Sequence, residues 1–322
     1  MTPVDLALAA GVFAFAGVTG ANNGGTLVAV QLRGSTNPPW VPVLVLAVAV
    51  GLGPALLGTA VAATIADDLA VFDGPGHAVA LATVLVVSVA LVGVLSAKGL
   101  PTSLFAALIG AITGVGLGLG SAVDGAVVGA VFLAAALTPW LGAGLAWAVT
   151  RAQRWVAPTG RTWRWVARRQ FGSFLLLCVA YGANGAQVMV ALLALATQRS
   201  TASIGGDGWL LAGLAACFAV GSVIGLVRLS SSVGSGIVAL RPRQVATAKV
   251  ASTAAVASAA VVGLPVSTTQ VVTASLVGCG AAEGYRRIRW QHAQRIGLAW
   301  LITVPAAFVA AGAVGLIARP FV

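Results

Sequence analysis

The sequence predicts an all-α polytopic membrane protein with two inverted repeats, each of about five membrane segments, and with discontinuous or re-entrant helices. Of the 322 residues, 59% are hydrophobic and 8% are charged, whereas a soluble domain carries about 25% charged residues. The apolar residues form runs of membrane-spanning length, and motifs of the first half of the chain recur in the second half. Alternating strands of about ten residues, the pattern of an outer-membrane barrel, do not occur in the sequence.

Ten apolar runs are candidates for membrane segments, since a bilayer core of about 30 Å requires about 20 apolar residues per helix. The first predicted repeat, residues 1–150, has runs at 4–32, 41–66, 77–97, 101–120 and 126–150. The second repeat, residues 171–322, has runs at 171–197, 208–229, 245–263, 265–282 and 296–318. A basic linker at 151–170 separates the repeats. Two of the runs, 101–120 and 265–282, could each re-enter the membrane instead of spanning it.

The basic residues between the runs orient the chain. With an external N-terminus and one crossing per run, 16 of the 18 Lys and Arg residues lie inside, and only Arg199 and Arg319 lie outside. Because cytoplasmic loops are enriched in Lys and Arg, we expect a cytoplasmic linker and external termini in the inner cell membrane. The net charge of +11 belongs to these loops, so it does not indicate a nucleic-acid partner.

Three pairs of landmarks indicate that the halves are related. Their offsets are nearly constant: Asn22 to Asn184 (162), Pro101 to Pro265 (164) and Pro139 to Pro305 (166). If each half has an odd number of membrane segments, the second half enters the membrane in the opposite orientation to the first. This inverted-repeat plan is typical of secondary transporters that work by alternating access.

Helix breakers interrupt the runs at equivalent places in both halves. Gly-Ala-Asn stands at 20–22 and 182–184, and Pro followed by Ser or Thr opens the runs at 101–103 and 265–269. Free amides of a helix start at membrane depth attract an oxyanion. The candidate substrate-binding residues are therefore Asn22, Asn23, Ser103, Asn184, Gln187, Ser267, Thr268, Thr269 and Gln270. The alternative is structural, because small residues also serve close helix packing and a Ser-Thr-Thr run can cap its own helix.

No catalytic or metal-binding pattern accompanies these motifs in the sequence. The three cysteines stand singly in apolar runs, and His77 and His292 stand at run ends. We therefore expect neither an enzyme nor a resident metal or cofactor. A coupling cation, either a proton or sodium, stays open as a further ligand.

At these motifs the sequence resembles the inorganic phosphate transporter family, whose members couple phosphate to sodium or protons. The family signature reads G-A-N-D early in each half and P-V-S-T-T-H later. The segments 20–22 and 182–184 match the first motif, 265–269 matches the second closely, and 101–103 matches it in part. The resemblance covers nearly the whole chain and implies transport of an inorganic oxyanion across the lipid bilayer, with phosphate as the first candidate.

The sequence departs from the family signature at its charged positions. Asn23 and Gly185 stand where the family has aspartates, and Ala106 and Gln270 stand where it has histidines. The resemblance implicates those aspartates in cation coupling, so we expect transport that depends little on sodium. Restoring Asp at positions 23 and 185 together is expected to increase sodium dependence.

Several alternatives stay open at this point. Related sulfate permeases also lack the aspartates, so sulfate is the alternative substrate. A passive anion channel with the same fold is a second possibility. A third is a membrane subunit whose linker arginines bind a cytoplasmic partner or anionic lipid. Whether the protein forms a homodimer is also open.

Overall fold

A computed structural model shows the fold of residues 2–33, 35, 37–69, 72, 74–97, 102–121, 123–155, 163–229 and 241–322. Pro101, Lys98 and residues 156–162 of the predicted linker lie outside these ranges. The regular secondary structure of the described residues is helical.

The described chain contains fourteen α-helices, seven in each half. Those of the first half are α1 (Pro3–Thr19), α2 (Gly25–Leu32), α3 (Trp40–Leu57), α4 (Ala60–Ala63), α5 (His77–Ala97), α6 (Leu104–Leu119) and α7 (Gly125–Ala152). Those of the second half are α8 (Trp163–Ala183), α9 (Gly185–Thr197), α10 (Thr201–Gly205), α11 (Gly208–Leu229), α12 (Pro242–Val261), α13 (Thr268–Glu283) and α14 (Trp290–Ala318). A π-helical turn, Gly20–Gly24, joins α1 to α2.

The helix ends follow from local sequence. Thr2 and Asp5 form a reciprocal capping box at the start of α1, with Pro3 in the first turn. Asp124 starts α7, and its Oδ1 accepts from the amides of the next turn at 2.7 and 3.3 Å. Gly120 ends α6 with a left-handed φ of 80°, a conformation that favours glycine.

Seven helical segments among the described residues are long and apolar enough to cross a membrane. They are Pro3–Leu32, Trp40–Leu57, His77–Leu95, Gly125–Ala152, Trp165–Thr197, Gly208–Val227 and Trp290–Phe321. The chain is therefore a multi-pass membrane protein.

The ten apolar runs do not correspond to ten single membrane-spanning helices. The run at 41–66 is divided at Gly58 into α3 and α4. Helices α6 and α13 have 16 residues each, which gives about 24 Å at 1.5 Å per residue, shorter than a bilayer core of about 30 Å. Helix α12 has 20 residues, but Lys249 and several hydroxyl side chains keep it less apolar than the seven segments.

Equivalent helices of the two halves make equivalent contacts. Helix α6 packs along α14, and its counterpart α13 packs along α7. In the same way α1 packs on α11, and α3 packs on α8. Each pair joins one helix from each half, so the halves are interlocked. This pairing agrees with an internal repeat, while the opposite orientation of the halves in a bilayer stays a prediction.

Close backbone contact holds α6 against α14. Three glycines at four-residue spacing face α14: Gly110, Gly114 and Gly118. A Cβ atom built at Gly114 would lie 2.2 Å from the backbone oxygen of Phe308. Small residues at such spacing let two helix backbones approach closely in a membrane protein, so this stripe fixes how closely α6 packs on α14.

We predict that Gly114→Ala lowers stability, because the added methyl group must push α14 away. Overpacking of this kind costs about 1–3 kcal/mol. The measurement is the melting temperature of the purified protein in detergent. The matched control is Gly129→Ala in α7, where an added Cβ meets nothing within 4 Å. Equal melting temperatures for the two variants would contradict the close-contact explanation.

Candidate functional site

The N-termini of α6 and α13 meet at two buried serines. Ser103 caps α6, and its Oγ accepts from the amide of Ala106 at 3.1 Å. Ser267 caps α13 in the same way and accepts from the amide of Gln270 at 3.4 Å. The hydroxyl of Ser103 donates to Ser267 Oγ at 2.9 Å. Two predicted site residues at equivalent positions of the two halves are therefore in direct contact.

This junction is rich in hydrogen-bond donors. An α-helix leaves its first amides without an acceptor inside the helix, and the serine caps serve only the third amide of α6 and of α13. Each helix start also carries a partial positive charge of about half a unit. Two starts that meet at one place can together bind an anion.

Two threonine hydroxyls at the junction have no partner. Thr102 is 4% exposed and Thr268 is 2% exposed, and neither Oγ1 atom has a hydrogen-bond partner among the described residues. A buried hydroxyl without a partner is unfavourable, so each can gain a bond from a ligand. Thr102 was missed by the sequence analysis as a site residue, although its place directly before Ser103 was a signal.

The asparagines of the two Gly-Ala-Asn motifs hold the backbone that leads into these helices. Asn22 Nδ2 donates to the backbone oxygen of Thr102 at 3.0 Å. Asn184 Nδ2 donates to the backbone oxygen of Leu264 at 2.9 Å, and its Oδ1 accepts from the amide of Val266 at 3.0 Å. Both asparagines thus position the helix starts. Direct contact of either one with substrate stays a prediction.

Asn23 connects the first motif to the second half through Tyr181. The Nδ2 atom of Asn23 donates to the Tyr181 hydroxyl at 3.4 Å, and its Oδ1 accepts from Asn22 at 3.3 Å. Tyr181 is fully buried, and its ring packs at a tilt on Phe218 with centroids 5.5 Å apart. Sequence reasoning missed Tyr181, which directly precedes the second motif.

The Tyr181 ring also occupies the space beside Gly185. A Cβ atom built at Gly185 would lie 2.6 Å from Tyr181 Cε2, and the ring is buried and cannot easily move. The expectation that an aspartate can simply be restored at position 185 is therefore corrected. An aspartate at position 185 would meet the Tyr181 ring.

The remaining predicted site residues lie around the junction. Gln187 Oε1 accepts from the amide of Ala62 at 3.0 Å and Nε2 donates to the backbone oxygen of Ala183 at 2.7 Å, so Gln187 joins α9 to α4. Thr269 Oγ1 lies 3.3 Å from Ser267 Oγ. Gln270 is buried and lines a cavity.

This cavity lies between α7, α13 and α14 and has a volume of about 940 Å³. Gln270 and Ala106, which stand at equivalent positions of the two halves, form part of its wall. Four tryptophans also line it: Trp140, Trp147, Trp290 and Trp300. Because the wall is almost entirely apolar, the cavity does not offer an oxyanion the donors that the serine junction offers.

The side chains that meet at the junction are neutral. Within the described ranges, no group of three or more His, Cys, Asp or Glu residues could hold a metal ion. The donors at the junction are therefore amides and hydroxyls, which suit an anion better than a cation.

The sequence of this chain is similar to the sequences of known proteins. Residues 159–311 match the sequence model of the phosphate transporter family. A probable low-affinity inorganic phosphate transporter of Mycobacterium leprae is 33% identical over 94% of this chain and 74% of its own length. Its counterpart from Mycobacterium tuberculosis is 36% identical over 58% of this chain, and the match spans 45% of that protein's length.

The fold is shared with a solved structure described as the sodium-dependent phosphate transporter. The two structures superpose with a TM-score of 0.80 over the full length of both chains, at 17% sequence identity. This similarity shows the fold, and the Mycobacterium leprae relative shows the family. The chain belongs to the phosphate transporter family.

Proposed function

We propose that this protein is a secondary transporter that moves inorganic phosphate across the inner membrane by alternating access. The observation that carries the proposal is the junction of α6 and α13, where two capped helix starts meet beside two unpartnered threonine hydroxyls. The relatives support phosphate as the anion, because they are described as phosphate transporters.

The chemistry of the junction fits a tetrahedral oxyanion. Such an anion presents several acceptor oxygens, and the junction presents helix amides together with the hydroxyls of Thr102 and Thr268. Phosphate would replace the contact between Ser103 and Ser267 and accept from both serines. A hydrogen bond to a charged group contributes about 1.5–3 kcal/mol, so a few such bonds suffice for a weakly held substrate.

The position of the junction favours a carrier. One wall belongs to α6 of the first half and the other to α13 of the second half, while each helix packs on a partner from the opposite half. A movement of one half against the other would open the junction to one side of the membrane at a time. This symmetry is the reason to prefer alternating access over a passive channel.

Energy coupling is expected to use protons more than sodium. Two negative charges that move inward against about 100 mV cost about 4.6 kcal/mol, at about 2.3 per charge. A phosphate ion can itself carry a proton near neutral pH, which needs no protein carboxylate. Sulfate lacks this option, and none of the relatives named above is described as a sulfate permease. Phosphate is therefore the better proposal.

The test is uptake of labelled phosphate by proteoliposomes that contain the purified protein. We expect saturable uptake that unlabelled phosphate inhibits more than sulfate, and that an inward proton gradient stimulates more than a sodium gradient. Preloaded phosphate should accelerate entry, because a carrier exchanges substrate and a channel does not. Absence of this trans-stimulation would contradict the carrier, and stronger inhibition by sulfate would contradict the substrate.

We predict that Thr268→Val weakens phosphate binding about 10- to 100-fold, since it removes a donor to a charged ligand worth about 1.5–3 kcal/mol. The measurement is the concentration that gives half-maximal uptake. Thr303→Val is the matched control, because the buried Thr303 hydroxyl already donates to the backbone oxygen of Ala299 in its own helix at 2.6 Å. Equal effects of the two variants would assign Thr268 a structural role only.

We predict that Gly185→Asp is accommodated only when Tyr181 is shortened. Alone it forces a side chain against the buried ring and lowers the melting temperature, whereas Gly185→Asp with Tyr181→Ala recovers part of the loss. Asn23→Asp is expected to be tolerated, because the Tyr181 hydroxyl can donate to a carboxylate. Sodium dependence of uptake is then measured for Asn23→Asp and for the triple variant. Wild-type stability for Gly185→Asp would contradict the steric explanation.

We also propose that the linker is cytoplasmic and that both termini face outside. The excess of basic residues in the linker supports this orientation. A cysteine introduced at position 160, in a chain without its native cysteines, should not react with a membrane-impermeant reagent applied to intact cells. Strong reaction from outside would reverse the proposed orientation.

A further inference from the structure

Lys249 is a fully buried cation in α12, with an exposed fraction of 0%. Its Nζ donates to Gln31 Oε1 at 2.5 Å, to Gln170 Oε1 at 2.7 Å and to the backbone oxygen of Gln170 at 2.8 Å. An ammonium group has three hydrogens to donate, and all three are used. Each hydrogen of a charged ammonium group therefore has an acceptor.

Among the described residues, the groups that contact this ammonium carry no opposite charge. All three acceptors are neutral oxygens, and the ring of Phe174 lies with its centroid 6.0 Å from Nζ. Across the described ranges, the ion pair that forms joins Arg199 to Asp207. A buried charge without a counter-ion is unfavourable, and within membrane proteins such residues are usually functional.

The orientation of the Gln31 side-chain amide depends on its contact with Lys249. Gln31 is fully buried, and its Nε2 has no hydrogen-bond partner in the part of the chain that the structure describes. Turning the amide to place its oxygen on Lys249 leaves the nitrogen unsatisfied. A cation at this position therefore decides the orientation of the amide.

The group of oxygens has the chemistry of a site for a small monovalent cation. Transporters coordinate sodium with backbone carbonyl oxygens. The side-chain amide of glutamine presents the same kind of carbonyl oxygen, and an aromatic face adds to the attraction. We propose that Gln31, Gln170 and Phe174 form a monovalent-cation cage in which the Lys249 ammonium replaces a free ion. The cage joins α2 of the first half to α8 and α12 of the second.

The cage connects to the substrate junction along one helix. Gln31 lies eight residues after Asn23, which is about 12 Å along the π-turn and α2. At this distance from the junction, the binding and release of an inorganic cation could be coupled to movement of the junction. A tethered ammonium cannot leave, so the protein would not need sodium at this place. This consequence for transport rests on the proposed function, whereas the existence of the cage does not.

The experiment empties the cage with Lys249→Ala and measures the melting temperature of the full-length protein in equal concentrations of NaCl, KCl or choline chloride. We expect a lower melting temperature in choline chloride and a saturable upward shift of a few degrees in NaCl or KCl, because a bound ion stabilises the folded state. The wild-type protein should melt at one temperature in all three salts.

Two further variants make the result specific. Ser252→Ala removes a buried hydroxyl from the same helix without emptying the cage. This hydroxyl donates to the backbone oxygen of Ala248 at 2.7 Å and lies 2.9 Å from Ser275 Oγ. The variant should show no preference among the salts. Adding Gln31→Leu to Lys249→Ala removes one oxygen of the cage and should abolish the shift. If Lys249→Ala is not recovered folded in any salt, Lys249→Gln carries the same test.

The outcomes separate the two proposals. Uptake of phosphate by Lys249→Ala should become dependent on sodium or potassium if both are correct. If no variant transports phosphate but the cation-specific shift remains, the cage stands and the proposed function fails. Identical melting temperatures of the emptied cage in NaCl, KCl and choline chloride would overturn the cage and reduce Lys249 to a structural link.

Discussion

The contact between Ser103 and Ser267 is the constraint on which the rest of the structure depends. It brings two helix starts together inside the membrane domain, where unpaired amides and like partial charges are unfavourable. The fold opposes this cost in two ways. Asn22 and Asn184 bind the backbone ahead of each helix, and the glycine stripe of α6 locks that helix onto α14. An anion bound at the junction would offset the remaining cost.

Sequence reasoning could predict most residues of this junction, with Thr102 as the exception, but not their contacts. The offset of 164 residues placed Ser103 and Ser267 at corresponding positions of the two halves, and in the predicted two-fold arrangement such residues can meet only at its axis. The partners of Asn22 and Asn184 depend on how the halves interlock, which no local pattern encodes. The sequence left open whether α6 and α13 cross the membrane or re-enter it. Apolar composition alone does not show where a helix starts or where the chain turns.

Among the described helices, the buried polar groups are neutral or positive, and none is an acidic side chain. The positions where the family has aspartates hold neutral residues, and the junction offers neutral amides and hydroxyls. The charged group buried among the described helices is the Lys249 ammonium. Each of these features favours an anion and disfavours a free cation. Under the proposed function, a carrier with this distribution would gain affinity for its substrate from the protein itself, and the energy for accumulation would come from the proton that phosphate carries or from exchange.

Positions 23 and 185, where the family has aspartates, differ in their contact with Tyr181. At position 23 the change from aspartate to asparagine is nearly isosteric, and the tyrosine hydroxyl can accept from an amide or donate to a carboxylate. At position 185 the side chain is gone and the ring has entered its space, with Cε2 only 2.6 Å from where a Cβ would stand. The first half could therefore regain a charge by one substitution. The second half needs two substitutions, because a carboxylate at position 185 is prevented by the packing of the Tyr181 ring and not only by the glycine itself.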